Sequence, residues 1–220
     1  MRERLLGWRR KWTFQGRIAG VVSSGRRSGQ RFDATHGVAT EAVIFLGELD
    51  PEAIGPALAD ATHYEAVPPQ EFHALVQASP LDPARCTFVD VGSGMGRAVM
   101  LASQYPFKQI VGLEISPALH EIARDNLRQW RARGSNRAQD IRLVCADART
   151  WKPPKGDVVF FLYNPFNAAA LRGFLSNLGS AAPREIVLLY HTPAESAVLE
   201  AVASRVAELP CGTVYRLNAG

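Results

Sequence analysis

Cysteine is scarce in this chain: Cys86, Cys145 and Cys211 are the only three among 220 residues, scattered and odd in number. That excludes a disulfide framework and a cysteine-based metal centre. Cys86 and Cys145 fall in apolar runs and are expected as buried thiols in a reducing compartment. No apolar run approaches the length of a membrane span, which predicts a soluble, cytoplasmic protein. No apolar core follows the first charges, so a secretory signal is not expected; an Arg-rich, acid-poor start leaves an organelle transit segment open. His63, His73 and His120 lack the spacing of metal ligands, and no metal is expected. There is no internal repeat.

Acids are nearly missing from the front of the chain. Residues 1–31 carry nine Arg/Lys against Glu3 alone, leaving sixteen basic and twenty acidic residues for the remainder. The net charge of +4 therefore describes a basic arm on a mildly acidic body. In the arm, Leu5, Trp8 and Trp12 share one helical face among arginines. Such a face suits nucleic acid or an anionic surface. The preferred reading is a lid or docking helix whose tryptophans pack on the body. "SSGRRSGQ" (Ser23 to Gln30) reads as a flexible polar link.

From Cys86 onward strands and helices alternate. "CTFVDV", "QIVGLEI", "IRLVCA", "GDVVFFLY" and "EIVLLYH" are the expected strands. "GRAVMLASQY", a Ser116-capped segment running to about Arg133, "NAAALRGFLSNL" and "ESAVLEAVASRV" are the expected helices. Pro68 and Pro69 open another helix through Glu71 and Val76. The loop "DARTWKPPKG" is too short for a crossover helix, and a hairpin around Cys211–Gly212 ends the chain. Buried β-rich runs alternating with helices predict an α/β fold. Its sheet is doubly wound, Rossmann-like and mostly parallel, with a C-terminal antiparallel hairpin strand and a basic N-terminal extension. The expected division is an extension or lid over residues 1–70 and the main domain over residues 71–220.

In such sheets ligands bind beyond the carboxyl ends of the strands. There the chain reads "DVGSGMGR". Gly92, Gly94 and Gly96, with Ser93 between the first two, follow Asp90 at a spacing one short of the dinucleotide fingerprint. The Walker pattern of Lys then Ser/Thr is absent. An acid at the strand end suits a ligand carrying positive charge and no phosphate.

This turn resembles the first motif of class I S-adenosylmethionine-dependent methyltransferases, and the likeness continues in order to about His191. In that resemblance Asp90 sets the electrostatics around the methionine portion, and the Gly92–Gly96 backbone lines it. Glu114, with Ile115 beside it, sits where the family chelates the ribose hydroxyls. Asp147 and the amide of Ala148 sit where it meets adenine. Tyr64 is similar to upstream aromatics that fold over the cofactor, with Glu65 nearby, and His36 belongs to the same lid. The resemblance implies S-adenosylmethionine as cofactor and S-adenosylhomocysteine as product.

"YNPF" (Tyr163 to Phe166) stands where the family faces the transferred methyl. It is one proline short of the pattern of amine-modifying members, and an uncharacterised bacterial group carries a similar stretch. Asn164, Tyr163 and His191 are the candidate catalytic residues: Asn164 as acceptor of hydrogen bonds from the target, His191 as general base on the same rim. The implied activity is methyl transfer to an amine or hydroxyl of a small molecule or protein side chain. The alternatives are a nucleic-acid methyltransferase using the arm, a non-catalytic S-adenosylmethionine-binding protein, and a dinucleotide-dependent oxidoreductase, the last disfavoured by glycine spacing. Acceptor and oligomeric state stay open.

Overall fold

The computed structural model describes residues 27–44, 51–54, 63–134, 136–138, 140–180 and 183–218. The expected amphipathic face of Leu5, Trp8 and Trp12 lies outside the described residues.

Among the described residues, the main sheet has seven strands. In chain order these are β3 (Thr87–Val91), β4 (Gln109–Glu114), β5 (Ile141–Cys145), β6 (Gly156–Tyr163), β7 (Pro183–His191), β8 (Ala203–Leu209) and β9 (Gly212–Leu217). They lie in the order β5-β4-β3-β6-β7-β9-β8. The first five are parallel, with Val91 level with Leu113 on one side and Leu162 on the other. β9 runs antiparallel to both β7 and β8. A separate antiparallel pair, β1 (Val43–Ile44) and β2 (Tyr64–Glu65), brings Tyr64 and Glu65 to the main body. The order reverses at β3, where the chain leaves β5 and crosses to β6, so a crevice opens at the strand ends there.

Both faces of the sheet are covered, as its continuous apolar strands require. Alternate residues of β3 and β6 serve the two layers. Phe88 and Phe161 meet Phe72 of α3 (Pro69–Gln77), with ring centroids 5.8 and 5.3 Å away. Phe160 meets Phe174 of α6 (Ala168–Ser180) edge-on at 5.4 Å. The first layer also takes α4 (Arg97–Ala102) and α5 (Pro117–Arg131). In α5 the buried residues Leu119, Ile122, Ala123, Asn126, Leu127 and Trp130 keep to one helical stripe. Its start is as the sequence predicts: Ser116 Oγ accepts from the Leu119 amide at 3.4 Å, and Pro117 takes the first turn.

Residues before the sheet are tied to it. Arg97 of α4 is 2% exposed and pairs with Asp33 at 3.0 Å and Glu41 at 2.8 Å. Its Nε donates to Thr40 Oγ1 at 2.6 Å, and the Phe32 ring lies 4.8 Å from its Cζ. Asn126 exchanges two hydrogen bonds of 2.9 Å with the Ala39 backbone. A buried guanidinium requires such partners, so this cluster fixes where the leading segment lies.

Four expectations are corrected. Arg27–Gln30 do not belong to a flexible link; they open α1 (Arg27–His36), which docks through Phe32 and precedes the short α2 (Pro51–Ile54). The helix expected over "ESAVLEAVASRV" stops early as α7 (Ser196–Glu200), and Ala203 already pairs with Leu217 as β8. There the ladder to β9 overrides the helical preference of Ala, Arg and Glu. Cys145 is exposed, because it closes a strand on the sheet's outer edge, whereas Cys86 is buried. His36 packs 4.6 Å from both Phe32 and Trp130, on the α5 side rather than in a lid over the crevice.

Candidate active site

The crevice at the strand ends encloses about 740 Å³ of space, open solvent included. Its wall runs from Val91 and Gly92 past Glu114 and Ile115 to Asp147, Ala148 and Arg149, and returns through Tyr163, Pro165 and Phe166 to His63, Tyr64 and Glu65.

The glycine turn lies across the end of β4. The amides of Gly92 and Ser93 both donate to Leu113 O, at 2.9 and 2.8 Å. Gly94 has φ +52°, and a Cβ there would stand 2.1 Å from the Tyr64 ring, so a side chain would collide with the residue that covers the turn. Tyr64 is held in place by its hydroxyl, which donates to Thr40 O at 2.7 Å, and Thr40 is itself held by Arg97. Gly96 caps α4 in the left-handed conformation.

Glu114 is 5% exposed and accepts from two amides, Gly94 N at 2.7 Å and Ser116 N at 2.8 Å. Burial raises its carboxyl above the ordinary range, while the amides of Ser116, Gly94 and Ile115 act the other way. Each oxygen keeps a second lone pair for a hydroxyl. Asp90 is 3% exposed, and burial, with the neighbouring Glu114, pushes it up to about 8. Ser93 Oγ is buried beneath the turn with no hydrogen-bond partner. Burial also acts to raise Asp147, but the hydrogen bonds and charge of Arg149 outweigh it and hold the carboxyl below its usual range. The guanidinium grips both Asp147 oxygens, Nε at 3.0 Å from each and Nη2 at 2.7 Å from Oδ2.

At the β6 end the Tyr163 hydroxyl donates to Glu65 Oε2 at 2.8 Å, and His63 Nε2 lies 3.8 Å from the same oxygen. The other two residues expected here are placed differently. Asn164, at φ +44°, turns its amide to the end of β7: Nδ2 donates to Thr192 O at 2.7 Å and Oδ1 accepts from Ala194 N at 3.0 Å. Asparagine tolerates this left-handed conformation, and its side chain latches the two strand ends instead of lining the crevice. His191 is 1% exposed, stands behind Tyr163 with ring centroids 4.2 Å apart, and its Nε2 is 2.7 Å from Glu71 Oε2. It does not share the rim.

The crevice thus unites Tyr64, Gly92, Glu114, Ile115, Asp147, Ala148 and Tyr163, with Asp90, Ser93, Gly94 and Gly96 directly behind the turn. Sequence reasoning missed Arg149 and gave Glu65 no role of its own. Their adjacency to Asp147 and Tyr64 was the available signal.

Residues 88–181 match a family model described as "Methyltransferase domain", somewhat less than half of the chain. Solved structures repeat the fold. The putative methyltransferase yhhF from Escherichia coli is 18% identical with a TM-score of 0.53, over 69% of this chain and 87% of that one. The pyocyanin biosynthetic protein PhzM is 19% identical with a TM-score of 0.52, over 67% of this chain and 54% of that one. The mitomycin 7-O-methyltransferase MmcR is 17% identical with a TM-score of 0.50, over 69% and 54%. The chain spans about half the length of PhzM and of MmcR. No curated protein matches the sequence significantly.

Residues 88–181 are thus similar to a methyltransferase domain. The donor set fits S-adenosylmethionine: acids that burial leaves short of countercharge suit a sulfonium, and the Glu114 lone pairs suit a diol.

Proposed function

We propose that this protein transfers a methyl group from S-adenosylmethionine to an amine or hydroxyl acceptor, on a small molecule or a protein side chain. The observation that carries the reading is the sequence of acids at three neighbouring strand ends, Asp90, Glu114 and Asp147, beside a glycine turn covered by Tyr64. Asp90 faces the charge of the methionine portion and the Gly92–Gly96 backbone gives it room. Glu114 takes the ribose hydroxyls. Asp147 and the Ala148 amide meet the adenine edge, with Arg149 fixing the carboxylate, while Ile115 and Tyr64 supply apolar contact. The bound cofactor supplies a methyl on a positively charged sulfur, so displacement by a nucleophile needs alignment and exclusion of water. Tyr163 lies at the methyl end; Asn164 acts there only by latching β6 to β7.

Calorimetry with S-adenosylhomocysteine and with NAD tests the reading. Micromolar-range binding of S-adenosylhomocysteine and none of NAD is expected; the reverse would remove the assignment.

A further inference from the structure

The methyl end of the crevice holds a carboxylate that neither the fold nor cofactor binding accounts for. Glu65 lines the wall with its side chain one-third exposed, beside Tyr64, Tyr163 and Phe166. The Tyr163 hydroxyl donates to Oε2, the oxygen that His63 also faces, and the carboxylate so anchored stays one-third exposed on the crevice wall. The other carboxylates of the wall are engaged, Glu114 by two amides and Asp147 by Arg149. His191, the expected base for a hydroxyl, is enclosed and held by Glu71.

We infer that the acceptor is a primary or secondary amine, that it enters as the ammonium, and that Glu65 receives it. This rests on the methyltransferase reading above and narrows it. A carboxylate flanked by aromatic rings attracts a cation by charge and by the ring faces. An aliphatic alcohol surrenders its proton far too reluctantly for a carboxylate base, and no imidazole among the described residues stands in the crevice except the half-exposed His63. A phenolate or carboxylate acceptor would bring a second negative charge against Glu65.

The reaction balances with these groups. The ammonium gives one proton to the Glu65 carboxylate, which is partly exposed and passes it to solvent. The freed nitrogen lone pair forms the N–CH3 bond as the S–CH3 bond breaks, and that electron pair stays on sulfur as a thioether. Tyr163 is a positioning residue: its hydrogen bond aims the carboxylate.

The test uses the full chain saturated with S-adenosylhomocysteine and three probes of one shape: benzylamine, benzyl alcohol and benzoate. Benzylamine is expected to bind about tenfold or more tightly than either of the others, the scale of one partly solvated charge contact. Glu65→Gln, which keeps the shape of the side chain, should abolish that advantage while S-adenosylhomocysteine affinity stays the same. Equal binding of the three probes, preference for benzoate, absence of benzylamine binding, or an amine preference that persists in Glu65→Gln overturns the inference and leaves the cofactor assignment standing. Failure of the unaltered chain to bind S-adenosylhomocysteine overturns both.

Discussion

Where the crevice meets β3 and β4, its wall is backbone and carboxylates sunk into the sheet; where it meets β6, its polar groups sit on side chains open to solvent. Glu114 is 5% exposed and locked by two main-chain amides. Glu65 is one-third exposed and held by side chains alone, the Tyr163 phenol with His63 beside the same oxygen. The first arrangement suits a ligand that never varies, because main-chain donors cannot be exchanged by mutation. The second suits a partner that differs between enzymes of the same fold, because each of its contacts is a single replaceable side chain.

If the buried end is rigid in this way, Gly94→Ala should be the most damaging change. The new methyl meets the Tyr64 ring at 2.1 Å in a backbone conformation that alanine resists. A loss of about a hundredfold in S-adenosylhomocysteine affinity by calorimetry is expected, with the circular dichroism spectrum retained. Binding within a factor of about three of the unaltered chain would show that the turn yields, erasing the contrast between the two ends.

Asp90→Asn sharpens the contrast through pH. Asp90 titrates at about 8 when folded, raised by burial and by Glu114, against about 4 when unfolded. Between those values the folded chain keeps a proton that the unfolded chain releases, so stability falls as pH rises from about 4 to about 8. The asparagine variant lacks that decline. It should match the unaltered protein near pH 4 and exceed it by on the order of 2 kcal/mol near pH 8, read from urea unfolding without cofactor. Parallel pH profiles for the two proteins would remove Asp90 as a strained anion.

The smallest effect belongs to the open end. Tyr163→Phe keeps the ring but frees Glu65 Oε2. It should weaken benzylamine by about threefold to fivefold, the scale of one partly solvated hydrogen bond, and leave S-adenosylhomocysteine unaffected. A loss of cofactor affinity instead would mean that the two ends do not act separately.

What could be read from the sequence divides along the same line. The glycine turn, Glu114 and Asp147 were legible because strand, turn and helix follow one another within a few residues, so local spacing determines which groups meet. Asn164 and His191 were misread because the direction of a side chain at a strand end is set by distant elements. Glu71, which holds His191, is 120 residues away, and Thr192 and Ala194, which hold Asn164, belong to the next parallel strand's exit. The last helix was overextended for a related reason: "ASRVAEL" carries helix-forming residues, but β9 offers it a ladder. The seven-stranded architecture with its terminal hairpin was nonetheless visible in the alternation of apolar runs.

Arg97 has one further consequence. It opens the helix that follows the glycine turn, yet its counterions, Asp33 and Glu41, come from far upstream of residue 71. A polypeptide trimmed to begin at that residue would retain the guanidinium in its apolar setting and lose both anions, a defect worth about 3–5 kcal/mol in comparable interiors. The autonomous unit is therefore wider than the stretch that matches the family model, and its leading segment serves as keystone as much as cover.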